Sequence, residues 1–253
     1  MNQRVLIAKE FKEMVKTRKI IVMPLLFIIF GILSPISALA APELIKSISG
    51  TAHIVIPKPT VFDAYDQFFK NLNQIQVVIL IFTTMNIVVE EKMNGVLMLL
   101  TTKPVSKSGY IFSKLLSQSF LILISLTLGS AAFIYYTIVL FHRFNFSGFI
   151  IAVAYYFLYI MVFITMTTFF STIASNLTVA GICSFLGFTI INLTGYIEKI
   201  IGYYTPATLK GNQILLVRKG WYAINNLAPV YCSILLIVVF IALSILSFRN
   251  QEM

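Results

Sequence analysis

An all-α integral membrane protein with six transmembrane helices is what this sequence predicts, and three observations carry the prediction. Of 253 residues, 58% are hydrophobic and only 11% are charged, too little charge to clothe a water-exposed surface. The apolar residues are gathered into long charge-free stretches, five of them near or above the roughly 20 residues that cross a bilayer. Those stretches are continuously apolar, whereas strands of a transmembrane barrel would alternate apolar and polar positions.

Residues 5–19 come first and are amphipathic. At about 100° per residue, Ile7, Phe11, Met14 and Val15 share one face while Lys9, Lys12, Glu13 and Lys16 share the other. This pattern predicts an N-terminal interfacial helix, lying in the membrane surface before the chain turns inward. The first span follows at about 20–41. Ala38-Leu39-Ala40 near its end resembles a signal-peptidase site, but the apolar run is longer than a signal core and the preceding segment has its own pattern, so a retained span is expected. The second span, about 71–89, has a short apolar centre from Ile75 to Val89 and reaches crossing length if its helix starts near Asn71 with Lys70 snorkelling to the interface. The remaining spans are expected at about 115–141, 149–170, 178–196 and 230–248, so that 1–253 forms one transmembrane domain.

Arg4, Lys9, Lys12, Lys16, Arg18 and Lys19 precede the first span, whereas Lys46, Lys58 and Lys70 are spread over the long loop after it. The positive-inside rule therefore keeps the amino terminus in the cytoplasm, and six crossings return the carboxyl terminus there. Arg249 after the last span agrees, as do Lys92, Lys103, Lys107 and Lys114 after the second. Lys199, Lys210, Arg218 and Lys219 fall in an outside loop, and long loops count weakly in this rule. The formal charge of +10 sits at membrane boundaries, where anionic headgroups attract each cation by about 1 kcal/mol. Membrane lipids are the expected partner; nucleic acid is not, since no aromatic-interleaved basic groove occurs.

Catalytic chemistry finds few parts here. Cys183 and Cys232 lie within predicted spans and read as packing residues, and His53 and His142 fall in outside loops. There is no H-E-x-x-H and no G-x-S-x-G, so neither an enzyme nor a metal site is expected. The six stretches hold no Asp, Glu, Lys, Arg or His, which removes the ionisable groups that ion-driven transporters use. Asn86, Gln118 and Asn192 are their main polar residues and read as helix-packing groups. In the inside loop, Glu90 and Glu91 suit a helix amino terminus, Met93, Val96, Leu97 and Leu100 recur at helical spacing, and Pro104 limits the run. So apolar a helix on a loop needs cover, either from the bundle or from a partner.

This order of features resembles the permease subunit of type-2 ABC exporters: an interfacial helix ending at Thr17-Arg18-Lys19, a span, a long outside loop, a second span, then Glu91, Gly95, a Leu-rich turn and Lys103-Pro104-Val105-Ser106. The likeness extends through Ser175-Asn176 before the fifth span and the aromatic outside segment with Tyr203, Tyr204, Trp221 and Tyr222. It implies a dimer, of two copies or of two paralogues, coupled to separate ABC ATPase subunits. ATP and Mg would sit on those subunits, for no G-x-x-x-x-G-K-[ST] loop occurs and no cofactor is expected on this chain. The helix after the second span would be the cytoplasmic coupling helix, with Glu90 or Glu91 capping or pairing, Gly95 permitting close approach, Leu97 and Leu100 anchoring, and Pro104 setting the exit. Which glutamate of the doublet takes the role stays open in the sequence. An autonomous channel or a scaffold subunit is the alternative reading of an apolar bundle without intramembrane charge.

Overall fold

The computed structural model describes residues 3–49, 58–95, 106–197, 204–221, 224 and 226–250, with the backbone alone for 44–49. Among them are ten α-helices, one π-helical turn and no strand. They are α1 (Gln3–Lys16), α2 (Lys19–Ser49), α3 (Val61–Asn71), the π turn (Leu72–Gln76), α4 (Val77–Thr84), α5 (Asn86–Met93), α6 (Lys107–Phe141), α7 (Phe146–Ile173), α8 (Leu177–Thr194), α9 (Thr208–Lys219) and α10 (Ala228–Asn250). Six helical segments are long and apolar enough to cross a membrane: Lys19–Glu43, Val61–Met93, Lys107–Phe141, Phe146–Ile173, Leu177–Thr194 and Ala228–Asn250. The chain is thus an all-helical multi-pass membrane protein.

Most of these helices overrun the charge-free stretches, because polar caps rather than the ends of hydropathy stop them. Ser106, Asn145 and Asn176 accept hydrogen bonds from the amides of Gly109, Gly148 and Val179 at the starts of α6, α7 and α8. Thr60 opens α3 with a reciprocal capping box to Asp63. Lys46 and Lys70, which the hydropathy pattern leaves in a long loop, therefore belong to α2 and α3. From Val61 to Met93 the chain is one helical rod of 33 residues, and a rise of about 1.5 Å per residue makes it longer than the hydrocarbon core is thick.

Helix α7 runs through the middle, with Tyr156, Tyr159, Ile160 and Val162 fully buried. Helices α2 and α6 form the most extensive pair. At the end of the bundle that carries α9, Tyr65, Phe68 and Phe69 of α3 meet Phe133, Phe144 and Phe149, and the Phe68 and Phe133 rings stack with centroids 4.2 Å apart. Arg218 of α9 pairs with Asp66 at 2.5 Å. Helices α8 and α10 are the least buried of the six spans.

The rod of the second span is regular only in places. At the π turn the Tyr156 hydroxyl donates to the Leu72 carbonyl at 3.2 Å, and the Asn73 amide donates to Gln213 of α9 at 2.8 Å. At Met85 the α-helical ladder is interrupted between α4 and α5. Ser171 of α7 occupies the break: its hydroxyl donates to the Met85 carbonyl at 2.6 Å and accepts from the amides of Val88 and Val89, each at 3.1 Å. One buried hydroxyl so satisfies three backbone groups that lipid would leave unpaired. Ser171→Ala is expected to destabilise the chain by about 1–3 kcal/mol, read as a lower midpoint when heating exposes Cys183 and Cys232 to a thiol-reactive dye in detergent. An unchanged midpoint would mean that the break closes into a regular helix without the hydroxyl.

Candidate functional site: an ionic joint at one end of the bundle

Four elements converge at the end opposite α9: α1, the start of α2, the last turns of the second span, and the start of α6. Sequence dictates how the first two meet. The Thr17 hydroxyl and amide both donate to the Glu13 carbonyl at 2.8 Å, and Arg18 takes a positive φ of 58°, so the chain reverses between α1 and α2. Lys19 then reaches across to the interrupted rod, donating to the Thr83 carbonyl and to Asn86 Oδ1, both at 2.9 Å. The Asn86 amide passes the contact on to Glu90 at 2.6 Å.

Beside this lies a cluster of buried charge. Lys114 of α6 has only 1% of its side chain exposed. Its ammonium lies 2.8 Å from Glu91 Oε1 and 3.1 Å from Glu10 Oε2. Lys9 reaches the same Glu91 oxygen at 2.6 Å from the more open side, and the Tyr110 hydroxyl donates to Glu91 Oε2 at 2.7 Å. The Tyr110 ring in turn stacks on Phe248 of α10 with centroids 5.0 Å apart. Glu91 is thus the hub on which α1, the second span and α6 meet, with α10 held one contact further out. Two carboxylates against Lys114 alone would leave the buried cluster with net negative charge, so Lys9 is needed for neutrality. Burial raises the Glu10 carboxyl above its ordinary range; Lys114 opposes that rise and Glu91 adds to it.

Glu90 and Glu91 do not open a helix here, as the doublet predicts; they lie in the last turn of α5, and the helix stops just after them. The reason is Gly95, whose φ of +68° an L side chain rarely adopts and which ends the rod with its amide on the Lys92 carbonyl at 3.2 Å. No atom of the described residues lies within 4 Å of a Cβ built on Gly95, so among these residues the position needs glycine for its backbone angle and not for closeness. Carboxylates at a helix carboxyl terminus oppose the helix dipole, and the joint compensates them: Lys9, Lys114 and Tyr110 hold Glu91, and Asn86 holds Glu90. The doublet is split by burial, Glu91 inside and Glu90 exposed. Leu97, Leu100 and Pro104 lie outside the described residues.

On α1 the inward face overlaps the one the apolar pattern marks but is turned away from Val15 toward Glu10. Leu6, Glu10 and Met14 are buried. Ile7 and Phe11 are half-buried, the Phe11 ring meeting Phe120 of α6 edge-on at 5.5 Å, and Val15 is exposed. The face is rotated because Glu10 is drawn in by Lys114. Not every basic residue therefore serves the lipid surface: Lys9, Lys19 and Lys114 face inward. Glu10, Lys19, Tyr110 and Lys114 are the joint residues that the apolar pattern does not single out. The signal available for them is a charge set on a helical apolar line, Glu10 between Leu6 and Met14, and Lys114 between Tyr110 and Leu121.

The joint thus gathers α1 and, one contact further out, α10 beside the second span of a six-span membrane bundle. The family model of the ABC-2 family transporter proteins matches residues 4–253, and the chain belongs to that family. It is also similar to the uncharacterized transmembrane protein YxlG of Bacillus subtilis (strain 168), with 28% identity over 181 residues, 70% of each chain.

Proposed function

We propose that the chain is the permease subunit of an ATP-driven ABC exporter in the cell membrane. It lines the substrate pathway with a second permease chain and takes its driving force from separate ATPase subunits that hold ATP and Mg. The single observation that favours this reading beyond family membership is the joint itself. The segment 96–105, which carries Leu97, Leu100 and Pro104, leaves the second span within a few residues of Glu91. A push on that segment by a partner is therefore delivered at once to α1, α5 and α6. On this reading the α1 end of the bundle faces the cytoplasm, both termini with it, and α1 lies along the membrane surface. The exposed faces of α8 and α10 meet lipid or the second permease chain, and α9 with Trp221 covers the outer end.

The coupling assignment is tested by Leu97→Asp together with Leu100→Asp. The double variant is expected to remain inserted and to unfold at the wild-type temperature, yet to lose the ATPase that co-purifies with the wild-type chain in gentle detergent. Retention of a stoichiometric ATPase with unchanged nucleotide hydrolysis would overturn the assignment. Purification of the wild-type chain from its native host without any ATPase would favour an autonomous channel or a scaffold instead.

A further inference from the structure

Next to the ionic cluster is a small space of about 20 Å³, lined by Glu10, Glu13, Lys19, Glu90, Lys114 and Gln118 among others. A water molecule needs about 10–15 Å³ on this measure, so the space admits one water and no organic ligand. Gln118 is 2% exposed, and its Nε2 has no hydrogen-bond partner among the described residues. A buried amide donor is seldom left unpaired. We propose that this space is a hydration site, in which one water molecule accepts from Gln118 Nε2, donates to the α1 carboxylates and is a structural member of the joint.

The rival occupant is a metal ion, since carboxylate oxygens of Glu10, Glu13 and Glu91 lie within 4.8 Å of one another. The chemistry of the lining disfavours it. Glu10 and Glu91 already carry Lys114 and Lys9, and a cation here would face the ammonium groups of Lys19 and Lys114 as well as an amide donor. Water alone accepts from the amide and donates to the acids. The site rests on this geometry and not on the transport reading.

Pulsed X-ray radiolysis of the full-length chain in nanodiscs tests it, because hydroxyl radicals made from a bound water oxidise the side chains beside it. Met14 lines the space, whereas Met23 does not; the two are 6% and 2% exposed. Methionine sulfoxide on Met14 is expected to form several-fold faster than on Met23. Gln118→Leu, or Gln118→Met with its longer chain, is expected to remove that excess while leaving Met23 unchanged. Equal rates at the two methionines in the wild-type chain would overturn the proposal. So would a rise in thermal stability with Mn²⁺ that disappears in Glu13→Gln, which would assign the space to a metal.

Discussion

Lys114→Ala is expected to lower the stability of the chain by about 3–5 kcal/mol, among the largest losses a single side chain can cause here. The reason is the removed partner rather than the removed bond. Glu10 and Glu91 would stay buried with only Lys9, a third exposed, to balance them. Lys9→Ala should cost far less, about 1 kcal/mol, since its ammonium lies on the more open side and water can replace some of the contact. Adding Glu10→Gln and Glu91→Gln to Lys114→Ala should recover much of the loss, because neutral amides need no counter-ion. Thermal unfolding in detergent gives the order, and limited trypsin cleavage at Lys12 and Lys16 reports whether α1 has come away. The deficit of Lys114→Ala should also shrink as the pH falls. Glu10 is raised by burial, and losing Lys114 removes the cation that opposes the rise. A carboxyl with a raised folded pKa binds protons more tightly when folded, so its contribution is present at low pH and is lost as the pH climbs through that raised value. A variant that unfolds at the wild-type midpoint at every pH would show the joint to be solvated and weak.

The same residues explain why the fold was legible in the sequence and the joint was not. Six spans follow from charge-free length, a property local to each segment, and the bilayer enforces it by leaving a continuously apolar segment no alternative to a helix. Ser106, Asn145 and Asn176 are caps that can be read beside each helix. Glu10, Glu91 and Lys114 are different, for what matters is that three residues far apart in the chain share one buried point. Hydropathy averages treat Lys114 as the polar edge of a span, when the helix starts at Lys107 and carries it inside. The interfacial pattern on α1 likewise ranks Glu10 by its own polarity, while its burial is decided by a lysine on another helix. Gly95 shows the opposite case: its position was visible, but its left-handed backbone was not.

Gly129→Ala and Gly31→Ala are expected to break the packing of α2 on α6, although alanine is the better helix former. A Cβ on Gly129 would lie 2.7 Å from the Phe27 carbonyl oxygen, 2.8 Å from the Phe27 Cβ and 2.9 Å from its carbonyl carbon. A Cβ on Gly31 would run into the backbone oxygen of Gly129. These are mainly backbone atoms, so no side-chain rotation relieves the clash and the two helices must separate along their most extensive interface. Between membrane helices, close backbone approach at small residues supplies much of the attraction, because lipid is as apolar as the side chains. The helix-propensity gain of about 1 kcal/mol is therefore set against overpacking of about 1–3 kcal/mol, and separation also weakens dispersion attraction along the rest of the pair. The loss should dominate, and leucine at either position should prevent folding altogether. Gly211→Ala in α9 is the matched control. It adds the same methyl group to a helical glycine, with no atom of the described residues within 4 Å of the new Cβ, so only the propensity gain remains and the midpoint should hold or rise. If all three alanine variants unfold alike, the two spans are not held by the approach of their backbones and the Gly31–Gly129 contact loses its role.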